Sequence, residues 1–165
     1  MILETPRLVL RTMQQDDLDG LLGIFSDPNV MASFHEAPFT REQMQGWLQR
    51  NLDHQNEFGY GLFSVILQDS GVLIGDCGLE RMDVAAEVGY DFRSDYWNQG
   101  YATEAATAVR DYAFQTLQLP HLISLIRVGN LASKRVAEKI GMQLLSEYER
   151  YGNHYWKYGQ ARPTE

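Results

Sequence analysis

Partway along the chain the apolar residues change their period. Leu18, Leu21, Leu22 and Phe25, and later Met44, Trp47, Leu48 and Leu52, recur at helical spacing, whereas GLFSVILQ, VLIGDCGLERM and EVGYDF are short runs rich in Val, Ile, Phe and Tyr, as strands are. Asp69-Ser70-Gly71 joins the first two runs as a hairpin turn. Two helices are therefore followed by an antiparallel meander.

The flanks continue the alternation. After Pro6, LVLRT alternates with period 2 as a first strand. Asp16 and Asp17 suit the start of the first helix and Asp27-Pro28 ends it; Thr40 with Gln43 three residues on caps the second. Helical spacing returns from Gly100 to Gln115 through Ala105, Val109, Tyr112 and Ala113, with Pro120 beyond its end. HLISLIRV is a buried strand, SKRVAEKIGM a helix closed by Gly141, and LLSEYERY and HYWKYG a hairpin around Gly152-Asn153. The order β-α-α-β-β-β-α-β-α-β-β fits a single domain over 1–165, about the length of one ordinary domain. The tail QARPTE, and 161–165 in particular, is expected to fray.

Charge narrows the partners. Lys plus Arg number 14 and Asp plus Glu 22, a net charge of −8, which opposes counterion release on nucleic acid or attachment to an anionic bilayer. No run approaches the roughly 18 apolar residues of a membrane span. A basic partner or small cationic amine fits better. Cys77, the single cysteine, excludes an internal disulfide. MILETPRLVLR lacks the apolar segment of a secretory signal, so the cytoplasm is the expected compartment.

The chemistry concentrates in EVGYDFRSDYWNQGYATEAATAVRDYAF, where a strand enters a turn and then a helix. The first turn of a helix presents unpaired N–H groups and a partial positive charge, and a glycine lets a phosphate approach the backbone. An acidic chain can hold a pyrophosphate there by its amides. The plainer reading is that Gly100 only turns the chain while Trp97 and Tyr101 pack in the core.

One strand later NLASKRVAEKIGM begins with Asn130. Together with WNQGYATEA it resembles the GNAT superfamily of acetyl-coenzyme A-dependent N-acetyltransferases; ETPRLVLR, EVGYDF and KIGM further resemble the branch of ribosomal-protein alanine N-terminal acetyltransferases (RimJ/RimL-like). The likeness runs from about Glu4 to Trp156. It implies a single GNAT domain: a mixed, largely antiparallel sheet of about seven strands, splayed at its centre, with helices on both faces. It also implies that the backbone of Tyr90, Asp91 and Phe92 pairs with the pantetheine arm. Trp97, Asn98, Gln99, Gly100, Tyr101, Ala102 and Thr103 would form the pyrophosphate loop, and Asn130 and Ser133 would contact the coenzyme. Trp97 departs from the polar residue that usually opens that loop, without removing its amides. Many members place a tyrosine seven residues after the Asn, as the acid that returns a proton to the thiolate; here Ala137 stands there, which leaves Ser133 to steady the leaving sulfur.

The expected reaction moves acetyl from acetyl-coenzyme A to a primary amine by direct attack in a ternary complex. A carboxylate must take the amine's proton. Glu87 is the first candidate and Asp91, on the same strand face, the second; the Phe92 N–H is the oxyanion donor. The plainer readings are a Glu87 paired with Arg81 or Arg93 and a Ser133 that bonds Asn130. A protein N-terminal α-amine is the acceptor the branch suggests; a polyamine, an amino acid or an aminoglycoside-like antibiotic is the rival. A non-catalytic acyl-coenzyme A sensor is the alternative that Ala137 motivates. Phe34, His35, Glu36, Phe39 and Trp47, facing Tyr151, His154 and Tyr155, would line the amine cleft, with His154 a candidate relay. Gly59-Tyr60-Gly61 leads into a strand, so it is not a dinucleotide turn. His35, His54, His121 and His154 lack ligand spacing, so no metal is expected. The assembly is expected to be a monomer or a homodimer.

Overall fold

The computed structural model describes residues 2–83 and 85–164. Eight strands form one sheet in the order β1-β2-β3-β4-β5-β6-β8-β7, with β1 Ile2–Glu4, β2 Leu8–Thr12, β3 Leu62–Leu67, β4 Leu73–Met82, β5 Ala85–Phe92, β6 His121–Arg127, β7 Gln143–Arg150 and β8 Asn153–Ala161. The helices are α1 Leu18–Phe25, α2 Pro28–Ala32, α3 Arg41–Phe58, α4 Tyr101–Asp111 and α5 Leu131–Lys139. All adjacent strands are antiparallel except β5 and β6, which α4 connects as a crossover.

Local chemistry accounts for most of these boundaries. Thr40 and Gln43 make the reciprocal capping box that opens α3, satisfying two N–H groups that would otherwise lack partners. Gly141, at φ +100, follows the end of α5 in the left-handed conformation that glycine adopts at least cost. The helices divide between the two faces of the sheet. Leu21, Ile24, Met31, Met44 and Leu48, from α1, α2 and α3, form one core on one side. On the other, Ala105, Ala106 and Val109 of α4 and Ala137 of α5 pack with Val65, Val88 and Phe92. Each large aliphatic side chain so buried contributes roughly 1.5–3 kcal/mol.

Four expectations change in detail. The sheet has one strand more than the seven read from the sequence, because Ile2–Glu4 pairs with Val9–Arg11; three residues show too little alternation to be read as a strand. Asp27-Pro28 does end α1, but it also starts α2: Asp27 accepts from the Asn29 N–H at 2.9 Å, and Pro28 occupies the first helical position, where its missing N–H costs nothing. The turn of the last hairpin sits one residue earlier than expected, on Tyr151 and Gly152 with φ of 53 and 78. Gln160 and Ala161 are not frayed; they pair with Leu122 and His121, and the Arg162 N–H donates to Pro120 O at 2.9 Å. Among the described residues no helix is long and apolar enough to cross a membrane.

Candidate active site

β5 and β6 pair only at Ala86–Leu122 and Glu87–Ile123, then part. The Arg93 N–H donates to Ile74 O at 3.0 Å, so by the alternation of an antiparallel ladder the N–H groups of Tyr90 and Phe92 point away from β4, into the gap. Asp91, expected to pair through its backbone as well, turns its N–H toward β4 and contributes its carboxyl instead. The Phe92 carbonyl accepts from Trp97 Nε1 at 2.8 Å, which folds the following turn back onto the strand. The open edge that remains is the kind to which an extended chain adds as a strand.

Glu87 sits where the strands separate. The Leu125 N–H donates to its Oε2 at 3.1 Å, so the carboxylate takes over one rung of the ladder. It pairs with neither Arg81 nor Arg93, and Arg93 holds Asp95 at 3.0 Å. Burial, reinforced by the negative charges of Glu80 and Asp91 against the opposing Leu125 N–H and Arg150, raises its pKa from the ordinary 4.5 to about 7.

The turn before α4 has Asn98 at φ 60 and Gly100 at φ 83. Glu104 N is the first amide of α4 to bond backward, to Gly100 O at 3.0 Å. Among the described residues the amides of Asn98 to Thr103 thus find no partner, at the positive end of the helix. Arg7 locks this loop from outside the expected set: its Nε meets Glu104 Oε1 at 2.8 Å, its Nη1 donates to Gln99 O at 2.9 Å, and its guanidinium lies 4.2 Å from the Tyr101 ring centroid. Arg7 and Glu104 are 97 residues apart, and no local pattern connects them. Asp27 joins the same region to the other side of the sheet, accepting from Ser94 N at 2.9 Å and Ser94 Oγ at 2.6 Å.

At the far side of the gap Asn130 caps α5, its Oδ1 accepting from the Ser133 N–H at 3.2 Å. The contact between Asn130 and Ser133 is therefore real, and it runs through the Ser133 backbone. Ala137 is fully buried. A tyrosine hydroxyl is nonetheless present: Tyr90 Oη crosses the gap and donates to Ser133 O at 2.8 Å. Burial pushes this phenol up, so it stays protonated. The sequence reading gave Tyr90 only a backbone role.

On the opposite face, a cavity of about 270 Å³ lies between the sheet and α1, α2 and α3. Phe25, Phe34, Phe39 and Trp47 supply aromatic walls; Glu36, Asp76, Glu80, Glu87 and Asp91 supply carboxyls. Phe34, Glu36, Phe39 and Trp47 are where the sequence placed the amine cleft. His35, Tyr151, His154 and Tyr155 are not part of the lining; Tyr151, His154 and Tyr155 belong to the β7–β8 hairpin, which β6 separates from β5. The strand carboxyls Asp76 and Glu80, which sequence reasoning missed, stand opposite Asp91 and Glu87 in register.

This acidic wall makes stability depend on pH. Burial raises Glu87 from 4.5 to about 7 and Asp91 from 3.8 to about 6, so between these values the folded chain holds protons that the unfolded chain releases. Stability falls as pH rises through that window, by about 3 kcal/mol from Glu87 alone. Urea midpoints measured from pH 5 to 8 should decline, and should decline less in Glu87→Gln. A rising midpoint would contradict these shifts.

Comparisons with known proteins agree with this geometry. Residues 7–143 match the Acetyltransferase (GNAT) domain. The chain is 32% identical to the uncharacterized N-acetyltransferase YnaD of Bacillus subtilis, covering 94% of this chain and 92% of the relative. It superposes on an acetyltransferase (GNAT family) from Bacillus anthracis with a TM-score of 0.87 and 27% identity, over 98% and 99% of the two chains. The ribosomal L7/L12 α-N-protein acetyltransferase RimL in complex with coenzyme A shares the fold, with a TM-score of 0.83 at 16% identity over 98% of each chain. The matched segment takes in the parted strands, the Gly100 turn and the Asn130 cap together, and the chain belongs to the GNAT family of acetyltransferases.

Proposed function

We propose that the chain acetylates a primary amine by direct attack on acetyl-coenzyme A in a ternary complex, and the observation that carries this reading is Glu87 standing at once at the parting of the strands and in the wall of the acidic cavity. The coenzyme supplies an activated acyl group. The residues present fit it: unpaired amides from Asn98 to Thr103 suit a pyrophosphate, and the Tyr90 and Phe92 N–H groups suit an extended pantetheine arm. The Phe92 N–H also serves as donor to the carbonyl oxygen. With its pKa near 7, Glu87 is matched to accept the proton of an amine that arrives charged. Ser133, whose carbonyl accepts from the Tyr90 hydroxyl at 2.8 Å, would steady the departing sulfur. Cys77, fully buried with its thiol pushed up by burial, is no acyl carrier.

A protein N-terminal α-amine is the acceptor that the ribosomal-protein branch suggests. The cavity favours a small polycationic amine, because its polar lining is mostly carboxyl and the Asn51 amide already donates to Trp47 O at 2.9 Å, leaving little to bond peptide carbonyls. Calorimetry with acetyl-coenzyme A, followed by thiol release on alanyl peptides, diamines and aminoglycosides, tests the reading. Micromolar binding with release on one class is expected. Binding without turnover on any amine would replace it with the sensor, and absence of binding would overturn both.

A further inference from the structure

Four strands each place one residue in a row across the sheet: Arg11 on β2 stands opposite Ser64 on β3, Ser64 opposite Asp76 on β4, and Asp76 opposite Asp91 on β5. The row contains a single cation, and it is used at the far end. Arg11 Nη1 and Nη2 meet Asp17 Oδ2 and Oδ1 at 2.9 and 2.7 Å, and Ser64 Oγ donates to the same Oδ2 at 2.7 Å. Asp17 thus absorbs the donors that Asp76 would need. Asp76 is fully buried, and neither of its carboxyl oxygens receives a hydrogen bond from any described residue. Asp91 beside it makes no ion pair among the described residues either.

A fully buried carboxyl beside a half-buried one, without a counter-cation, is costly to ionise, and burial together with Asp91 pushes the Asp76 carboxyl well up. Both border the cavity, and so does Gly89, which lies between Glu87 and Asp91 on the same strand face. The glycine leaves a side-chain-free trough from one carboxyl to the other. Four residues of strand span about 13 Å, and a contact of ~3 Å at each carboxyl leaves about 7 Å, the length of roughly five methylenes between two nitrogens. Aromatic walls suit an alkylammonium better than a hydrated metal ion.

We propose that Asp91, backed by Asp76, is a subsite for a second ammonium group of the acceptor, so that the preferred substrate is an aliphatic diamine whose reacting nitrogen lies at Glu87. This rests on the amine acetylation proposed above and names its substrate class. Asp91 takes the ammonium directly, and Asp76, whose carboxyl burial and the adjacent Asp91 push well up, releases its proton to solvent when the ammonium arrives and so answers the second charge.

The test compares kcat/KM for pentylamine, 1,5-diaminopentane and an alanyl peptide, and measures calorimetric binding of 1,5-diaminopentane to the protein saturated with coenzyme A. The diamine should exceed the monoamine by about tenfold or more. Asp76→Asn, whose amide can donate to Asp91, should bring that ratio to within about twofold and abolish diamine binding. Gly89→Ala, where the new Cβ would meet only Leu62 at 3.8 Å, should also lower the ratio by filling the trough. Equal rates on diamine and monoamine in the unsubstituted protein, or a ratio unchanged in Asp76→Asn, would overturn the subsite, as would a peptide preferred over both. If no amine is turned over, Asp76-dependent diamine binding still upholds the subsite while acetyl transfer fails; absence of that binding overturns the subsite itself.

Discussion

Glu87→Gln is expected to lower kcat/KM on the preferred amine by about a hundredfold to ten-thousandfold, the range over which a positioned general base contributes. The substitution is nearly isosteric, and a glutamine oxygen can still accept from the Leu125 N–H that Glu87 Oε2 engages at 3.1 Å, so the parting of the strands should survive. What disappears is the proposed proton acceptor. In the unsubstituted enzyme activity should rise with pH through about 7, the value to which burial brings this carboxyl, because only the ionised form can take a proton. That limb should vanish in the variant, leaving the ionisation of the amine itself. Purely structural damage would lower the rate at every pH and leave the limb in place. A loss smaller than about threefold with the limb intact would transfer the role to Asp91 or to a chain of waters.

Gly100→Glu should raise the dissociation constant for acetyl-coenzyme A by about a hundredfold or more, through two separable effects. At φ 83 a side chain is strained by roughly 1–2 kcal/mol, and its Cβ would lie 3.3 Å from Arg7 Nη2. The carboxylate adds a negative charge where the amides of α4 converge, and Arg7 would be drawn to it and away from Gln99 and Glu104. Gly100→Ala carries the strain without the charge, so the difference between the two variants isolates the electrostatic part. Both should fold, with the midpoint of thermal unfolding lowered by only a few degrees. An affinity within threefold of the unsubstituted protein for Gly100→Glu would place the pyrophosphate elsewhere.

The sequence was most informative where structure is written within a few residues. Period, caps and turns placed thirteen-residue neighbourhoods such as NLASKRVAEKIGM correctly: Asn130 caps α5 and Gly141 follows its end because each needs only its own backbone surroundings. The Gly100 turn was legible for the same reason. Alternation along β5 also put Glu87 and Asp91 on one face, which the cavity bears out. Cross-strand partners were not legible. Asp76 becomes a neighbour of Asp91 only through the β4–β5 register, Glu87 meets Leu125 over 38 residues, and Arg7 finds Glu104 over 97. A side chain's partner across a sheet is set by how strands align, and no residue type announces it. Asp27-Pro28 shows a different limit, since the same pair that ends one helix also caps the next.

The Asp27 carboxylate has a wider role than its size suggests. It caps α2, whose Met31 borders the acidic cavity, and through Ser94 it holds the segment leading into the Gly100 turn. With the amine in the cavity and the coenzyme at the Gly100 turn, as proposed above, the two sites share this joint, and heterotropic linkage between them is expected. Any stiffening of that joint by one substrate alters the affinity for the other by the same factor in both directions, so the order in which the two arrive changes the path to the ternary complex but not its stability.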